Sequence, residues 1–209
     1  MVRLYYADSE VRLSSDVSAI DVDRQRKVRS DSVVNRARVL AAARIEFAEY
    51  GLDALIPNVA ARAGVGKGTV YRHFPTKEAL VQALLDDYWR HLEEILEQSL
   101  ANDDPWDGFS TLIRGIFTIK DEHRAACDIM MASTAERPKP PLSGRLHEAL
   151  HILFRRAQEA GSIRLDVPDD TVSVLLRSLS AAVKASRELH LEWQPYVTVI
   201  LDGLRAPRS

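Results

Sequence analysis

From Val34 to Leu204 apolar residues return every three or four positions and almost never alternate. That spacing stripes one face of a helix and cannot line one face of a strand. Ala37, Leu40, Ala43, Phe47 and Tyr50 mark a first helix that stops at Gly51, and Pro57 suits the first turn of a short second one closing at Gly64. A compact helix follows from about Lys67 to Phe74. After the Pro75-Thr76 break, with Thr76 as cap, a long helix carries Leu80, Leu84, Tyr88, Leu92, Ile95 and Leu96. Asp104-Pro105 reads as a cap and first residue for the stripe Phe109, Leu112, Ile113, Ile116 and Phe117. Further helices are predicted around Cys127, around Leu146 to Phe154 after a break at 137–141, from about Asp169, and from near Pro195. Only 162–167 hints at a strand, and it is too short to build a sheet. The expectation is an all-α fold of about nine helices.

Composition narrows the class. Charged residues make up 28 % of the 209 residues and hydrophobic ones 46 %, which suits a folded chain. Cys127 is the only cysteine, so neither an intramolecular disulfide framework nor a multi-thiolate metal site can form. Charges interrupt every apolar run before it reaches membrane-spanning length, and the first twenty residues lack the apolar core of a secretory leader. These features predict a soluble, cytoplasmic protein with no membrane partner. The net charge of -2 hides an uneven distribution. Residues 24–77 carry eleven basic and four acidic side chains, net +7, whereas 78–209 carry fifteen basic and twenty-one acidic, net -6. A basic block on an acidic body is the footprint of a module that binds a polyanion.

The segment 59–80 gives that block a shape. It reads as a helix, a tight turn at Gly64 and a second short helix, knit together by Val59, Ala60, Ala63, Val65, Val70 and Phe74. The second helix then presents Lys67, Gly68, Thr69, Tyr71, Arg72 and His73, with Lys77 just beyond. A helix in the major groove reads base edges with residues near its N-terminus and meets phosphates with those flanking it. Lys67 and Thr69 fall where base edges would lie, and Tyr71, His73 and Lys77 where phosphates would lie.

Residues 64–80, with Gly64-Val65, Gly68-Thr69-Val70-Tyr71 and His73-Phe74-Pro75-Thr76-Lys77-Glu78-Ala79-Leu80, resemble the TetR (tetracycline-repressor-like) transcriptional regulators. Residues 43–52 look like that family's first helix, and the resemblance runs from Arg38 to Leu84. The C-terminal half is similar to the subgroup with SbtR-like effector domains. Residues 1–31 show no lasting period, end in a polar, basic stretch and read as a flexible basic N-terminal arm. The resemblance implies a three-helix helix-turn-helix domain over 32–77 and a larger helical bundle over 78–209 for ligand binding and dimerisation. It implies a homodimeric, sequence-specific repressor of a near-palindromic double-stranded DNA operator, modulated by a small-molecule effector, with no enzyme activity and no cofactor. Thr69 and Lys67 match the family's base-contacting positions, and Tyr71, His73 and Lys77 its phosphate-contacting ones. Leu55-Ile56-Pro57 departs from the pattern, since the family often carries a hydroxyl cap there. The N-terminal extension, with Arg24, Arg26, Lys27 and Arg29, either adds DNA contacts or reflects a misassigned start.

Candidates for an effector cavity are Trp106, Phe109, Ile113, Phe117, Met130, Met131, Leu150 and Phe154, with simple core packing as the alternative for each. Leu175, Leu176, Leu179, Val183, Val199 and Ile200 are candidates for the dimer interface, again against internal packing. His147-Glu148 and His151 match the short zinc-protease pattern, but its extension fails at Phe154 and Ala157, so no metal site is expected. Residues 64–69 lack the Ser or Thr after Lys67 that a phosphate-binding loop needs. No Ser/His/Asp arrangement has a local signature, and no catalytic residue is assigned. Cys127 on an apolar stripe reads as inert core before it reads as a redox sensor. The rival to a DNA-binding regulator is a helical ligand- or partner-binding protein whose basic block serves acidic protein surfaces.

Overall fold

A computed structural model describes residues 31–132 and 141–207. Among them the regular structure is helical: α1 over 31–50, a 3-10 turn at Gly51–Asp53, α2 Ile56–Ala63, α3 Lys67–His73, α4 Lys77–Leu100, α5 Pro105–Glu122, α6 Arg124–Ala132, α7 Pro141–Glu159, α8 Thr171–Glu188 and α9 Gln194–Leu204. The N-terminal arm and most of the 137–141 break lie outside the described residues. The short stretch 162–167 that hinted at a strand contributes one antiparallel bridge, between Ile163 and Arg205. Its flanking bonds, Arg164 N–H to the Leu204 carbonyl at 3.0 Å and Ala206 N–H to the Ser162 carbonyl at 3.0 Å, tie the α7–α8 loop to the end of α9.

The chain divides into two compact units, the first ending at Val81 and the second beginning at Gln82. In the first, α1 to α3 and the start of α4 close over Val39, Ala43, Phe47, Val59, Val70, Phe74 and Leu80, all buried. The ends of the expected α1 stripe behave differently. Ala37 and Tyr50 are exposed, and the acidic Glu46 is buried in the row between Ala43 and Phe47. A buried carboxylate needs a partner, and the Arg62 Nε on α2 donates to Glu46 Oε1 at 2.8 Å.

The second unit builds its core on α5. Phe109, Leu112, Ile113 and Phe117 are buried with Leu153 and Phe154 of α7, and Phe109 and Phe154 meet edge to face at 5.7 Å. Two glycines let α4 and α5 approach closely. A Cβ on Gly108 would fall 2.8 Å from the Ser99 carbonyl oxygen, and one on Gly115 would fall 2.5 Å from the Ile95 side chain. The expected caps form: Asp107 N–H donates to the Asp104 carboxylate at 2.8 Å, and Ala79 N–H to the Thr76 hydroxyl at 3.1 Å.

Candidate nucleic-acid interface

Gly64 ends α2 in the left-handed region, at φ 66°, where a side chain would be strained. Its N–H bonds back to Ala61, and Val65 N–H reaches the Ala60 carbonyl at 3.1 Å, satisfying the last carbonyls of α2 within the turn. Gly66 then caps α3 in extended conformation. The small residues Ala60 and Ala63 let α3 pack close across α2, with Val70 and Phe74 one turn apart as its buried anchors.

Anchoring α3 through Val70 and Phe74 decides what it presents. Lys67, Gly68, Tyr71 and Arg72 are exposed; Thr69 and His73 are half-buried at the edges of that face. Two features of α3 carry information. Gly68 sits inside a helix, at ordinary backbone angles, with nothing within 4 Å of where its Cβ would stand. The exposed row also carries cationic and hydroxyl donors and no carboxylate. Arg36 of α1 lies 5.2 Å from the centre of the Phe74 ring, and Arg38 is exposed on the same helix.

Lys77 is placed differently from the others. Its half-buried ammonium donates to the Leu52 carbonyl and lies 5.7 Å from the centre of the Phe47 ring. That contact fixes the start of α4 to the turn after α1. The start of α2 bears out the departure read at Leu55, which caps the helix with no side-chain hydrogen bond and is itself exposed. The Glu46–Arg62 pair was not read from the sequence, although Glu46 stands three residues after Ala43 on the apolar stripe. That spacing is the signal that finds it.

The second unit places the effector candidates in its core. Phe109, Ile113, Phe117, Leu150 and Phe154 are buried. Trp106 is half-buried, with the Arg205 guanidinium 4.2 Å from its ring centre. The side chains of Met130 and Met131 lie outside the described residues. Beside Phe117 stand Trp193, with ring centres 6.3 Å apart, and the ammonium of Lys120, 5.2 Å from the ring centre, which donates to Ser180 Oγ at 3.0 Å. Burial holds the Lys120 pKa below its ordinary value. Of the interface candidates, Leu179 and Val183 are buried within the single chain, Leu175, Leu176 and Ile200 are half-buried, and Val199 is 69 % exposed. Val174, which the sequence reading passed over, is also exposed.

His151 is engaged on both ring nitrogens, Nδ1 with Asp169 at 2.6 Å and Nε2 with Ser173 Oγ at 3.2 Å. It therefore ties α7 to the start of α8. His147 packs edge-on to it at 4.6 Å and is exposed. The Ser173–His151–Asp169 relay has no trace in sequence spacing, because the three residues meet only when α7 and α8 pack. Burial pushes the Cys127 thiol up to about 11.

Comparison with known proteins agrees with this arrangement. Residues 39–84 match the family described as bacterial regulatory proteins, tetR family, and residues 104–206 match the SbtR-like transcriptional regulator C-terminal domain. A TetR transcription regulatory protein from Mycobacterium vanbaalenii is 33 % identical with a TM-score of 0.60, over 86 % of this chain and 99 % of that one. The TetR regulator SCO0520 from Streptomyces coelicolor is 29 % identical with a TM-score of 0.60, over 83 % and 99 %. The HTH-type transcriptional regulator UidR of Escherichia coli is 27 % identical over 77 % of this chain and 85 % of its own. With a glycine-turned helix pair at its N-terminal end and an SbtR-like helical unit after it, the chain belongs to the TetR family of transcriptional regulators, whose DNA-binding element is a helix-turn-helix.

Proposed function

We propose that the chain is a cytoplasmic, homodimeric repressor that lays α3 in the major groove of a near-palindromic operator. A small-molecule effector taken up in the second unit changes its hold on that operator. The observation that carries this reading is the exposed face of α3. Lys67 and Thr69 stand at its N-terminal end, Gly68 leaves bare backbone between them, and Tyr71, Arg72 and His73 flank them. A helix interior gains nothing from glycine, whereas close approach to a duplex does. Lys77 tethers α4 to the Leu52 carbonyl with one of its three N–H donors and keeps the others for a phosphate. Dimerisation draws on the exposed and half-buried apolar residues of α8 and α9, Val174, Leu175, Leu176, Val199 and Ile200, which a lone chain leaves partly in water. The effector enters beside the aromatic candidates of α5 and α7, with Phe117, Trp193 and Lys120 offering an apolar wall and a cation together.

A hydrolase centred on His147, Glu148 and His151 has less in its favour, because both nitrogens of His151 are already bonded to protein. The role division on α3 is tested with single variants on a selected operator and on random duplex. Thr69→Ala should lose discrimination between the two, by about 1–3 kcal/mol, while Tyr71→Phe should weaken both alike. Equal loss on both duplexes for Thr69→Ala would contradict the assignment.

A further inference from the structure

The middle of α4 and the end of α5 bring together three side chains that the DNA-binding reading does not use. Asp87 and His91 stand one turn apart on α4, so both project from the same side of that helix. His123 is the C-cap residue of α5, where its N–H bonds the Ile119 carbonyl at 2.8 Å, and it is 1 % exposed. One ligand atom from each of the three lies within 4.8 Å of the others. Asp87 Oδ2 is 3.9 Å from His123 Nδ1, and the two imidazole rings are 4.8 Å apart, tilted by 48°. The 3.9 Å separation exceeds a hydrogen bond. It fits two ligands sharing an ion, since donor atoms about 2.1 Å from a metal stand roughly 3–4 Å apart according to the angle between them.

We propose that Asp87, His91 and His123 form a binding site for one divalent first-row transition-metal ion, of which zinc is the type case. Two imidazoles and one carboxylate select this class over magnesium or calcium, which take oxygen ligands. The surroundings orient the donors. His91 Nδ1 lies 2.8 Å from the Asp87 backbone carbonyl and 3.8 Å from Asp87 Oδ1, which holds the ring beside that carboxylate. Arg90 pairs with Asp87 Oδ1, and Oδ2 is the oxygen that lies 3.9 Å from His123 Nδ1. His123 is held by burial and by the edge-on Tyr88 ring at 6.1 Å, whereas His91 is about a third exposed. Three protein ligands leave a fourth position for water or an exogenous group. This site stands apart from the operator reading and does not depend on it.

The test uses the full chain, freed of metal by chelator, and cobalt(II) and zinc(II) as probes. One cobalt ion per chain should bind with visible d–d absorption, be displaced by zinc and be untouched by a large excess of magnesium. His91→Ala and Asp87→Asn should each weaken cobalt binding by at least about tenfold, with unchanged helical circular dichroism. His147→Ala, at the exposed end of the other histidine pair, should leave binding as it is. His123→Gln adds a third arm but is not required, since that buried position can affect folding. Failure to bind cobalt or zinc at millimolar concentration would overturn the proposal. So would binding that His147→Ala removes while His91→Ala and Asp87→Asn do not.

Discussion

At Gly68 the fold asks for nothing, since the backbone is ordinary helix and the space above it is open. Alanine there should raise stability by up to about 1 kcal/mol, measured by urea unfolding, and at the same time weaken operator binding because a methyl group then stands between helix and duplex. Gly64 is the opposite case. Its positive φ is what the turn requires, so Gly64→Ala should cost roughly 1–2 kcal/mol of stability in the same assay. Cys127 makes a third residue-scale prediction. With its pKa pushed up to about 11 by burial, its thiolate fraction at pH 8 is about 0.1 %, so a disulfide reagent should modify the native protein roughly a hundredfold or more slowly than the unfolded one. The raised value also has a sign. The neutral thiol is favoured in the folded state, so its contribution is whole below about pH 9 and is lost as pH climbs through about 11. The stability of the parent protein minus that of Cys127→Ala should therefore fall over that window. A difference that rises with pH would be wrong for a buried thiol.

Between elements, the tightest constraint is the approach of α4 to α5. Gly108→Ala would press a methyl group against the Ser99 backbone carbonyl, which cannot turn aside, and should cost about 1–3 kcal/mol in thermal or urea unfolding. Gly115→Ala meets the flexible end of Ile95 instead and should cost less. Thr76→Ala removes the cap of α4 and should cost about 1 kcal/mol. Caps and helix extents were legible in the sequence because they depend on residues within a turn of one another: Asp104 with Asp107, Thr76 with Ala79, Gly64 at the stop of α2. What the sequence could not show depends on residues brought together by packing. The Glu46–Arg62 pair joins α1 to α2, the Ser173–His151–Asp169 relay joins α7 to α8, and Asp87 and His91 meet His123 only where α4 passes the end of α5. The stripe rule also overreached at its ends, where Ala37 and Tyr50 keep the spacing but are exposed.

For the whole molecule, the charge divides much as the fold does, with a basic block in the first compact unit and an acidic balance in the second. The helix-turn-helix was legible because its turn geometry needs glycine at one place and small residues beside it. The effector and dimer surfaces were not, since an apolar stripe reads the same whether it faces core, cavity or partner; Leu179 and Val183 turn inward while Val199 turns out. The most direct test of the account is selection of bound duplexes from a random library by the full chain, followed by binding of the enriched sequence across a salt series. A dimer with one α3 in each of two successive major grooves should recover a near-palindrome with half-site centres about 34–36 Å apart and show a steep loss of affinity with salt. Enrichment of no sequence at low salt, with binding that does not distinguish one duplex from another, would contradict it.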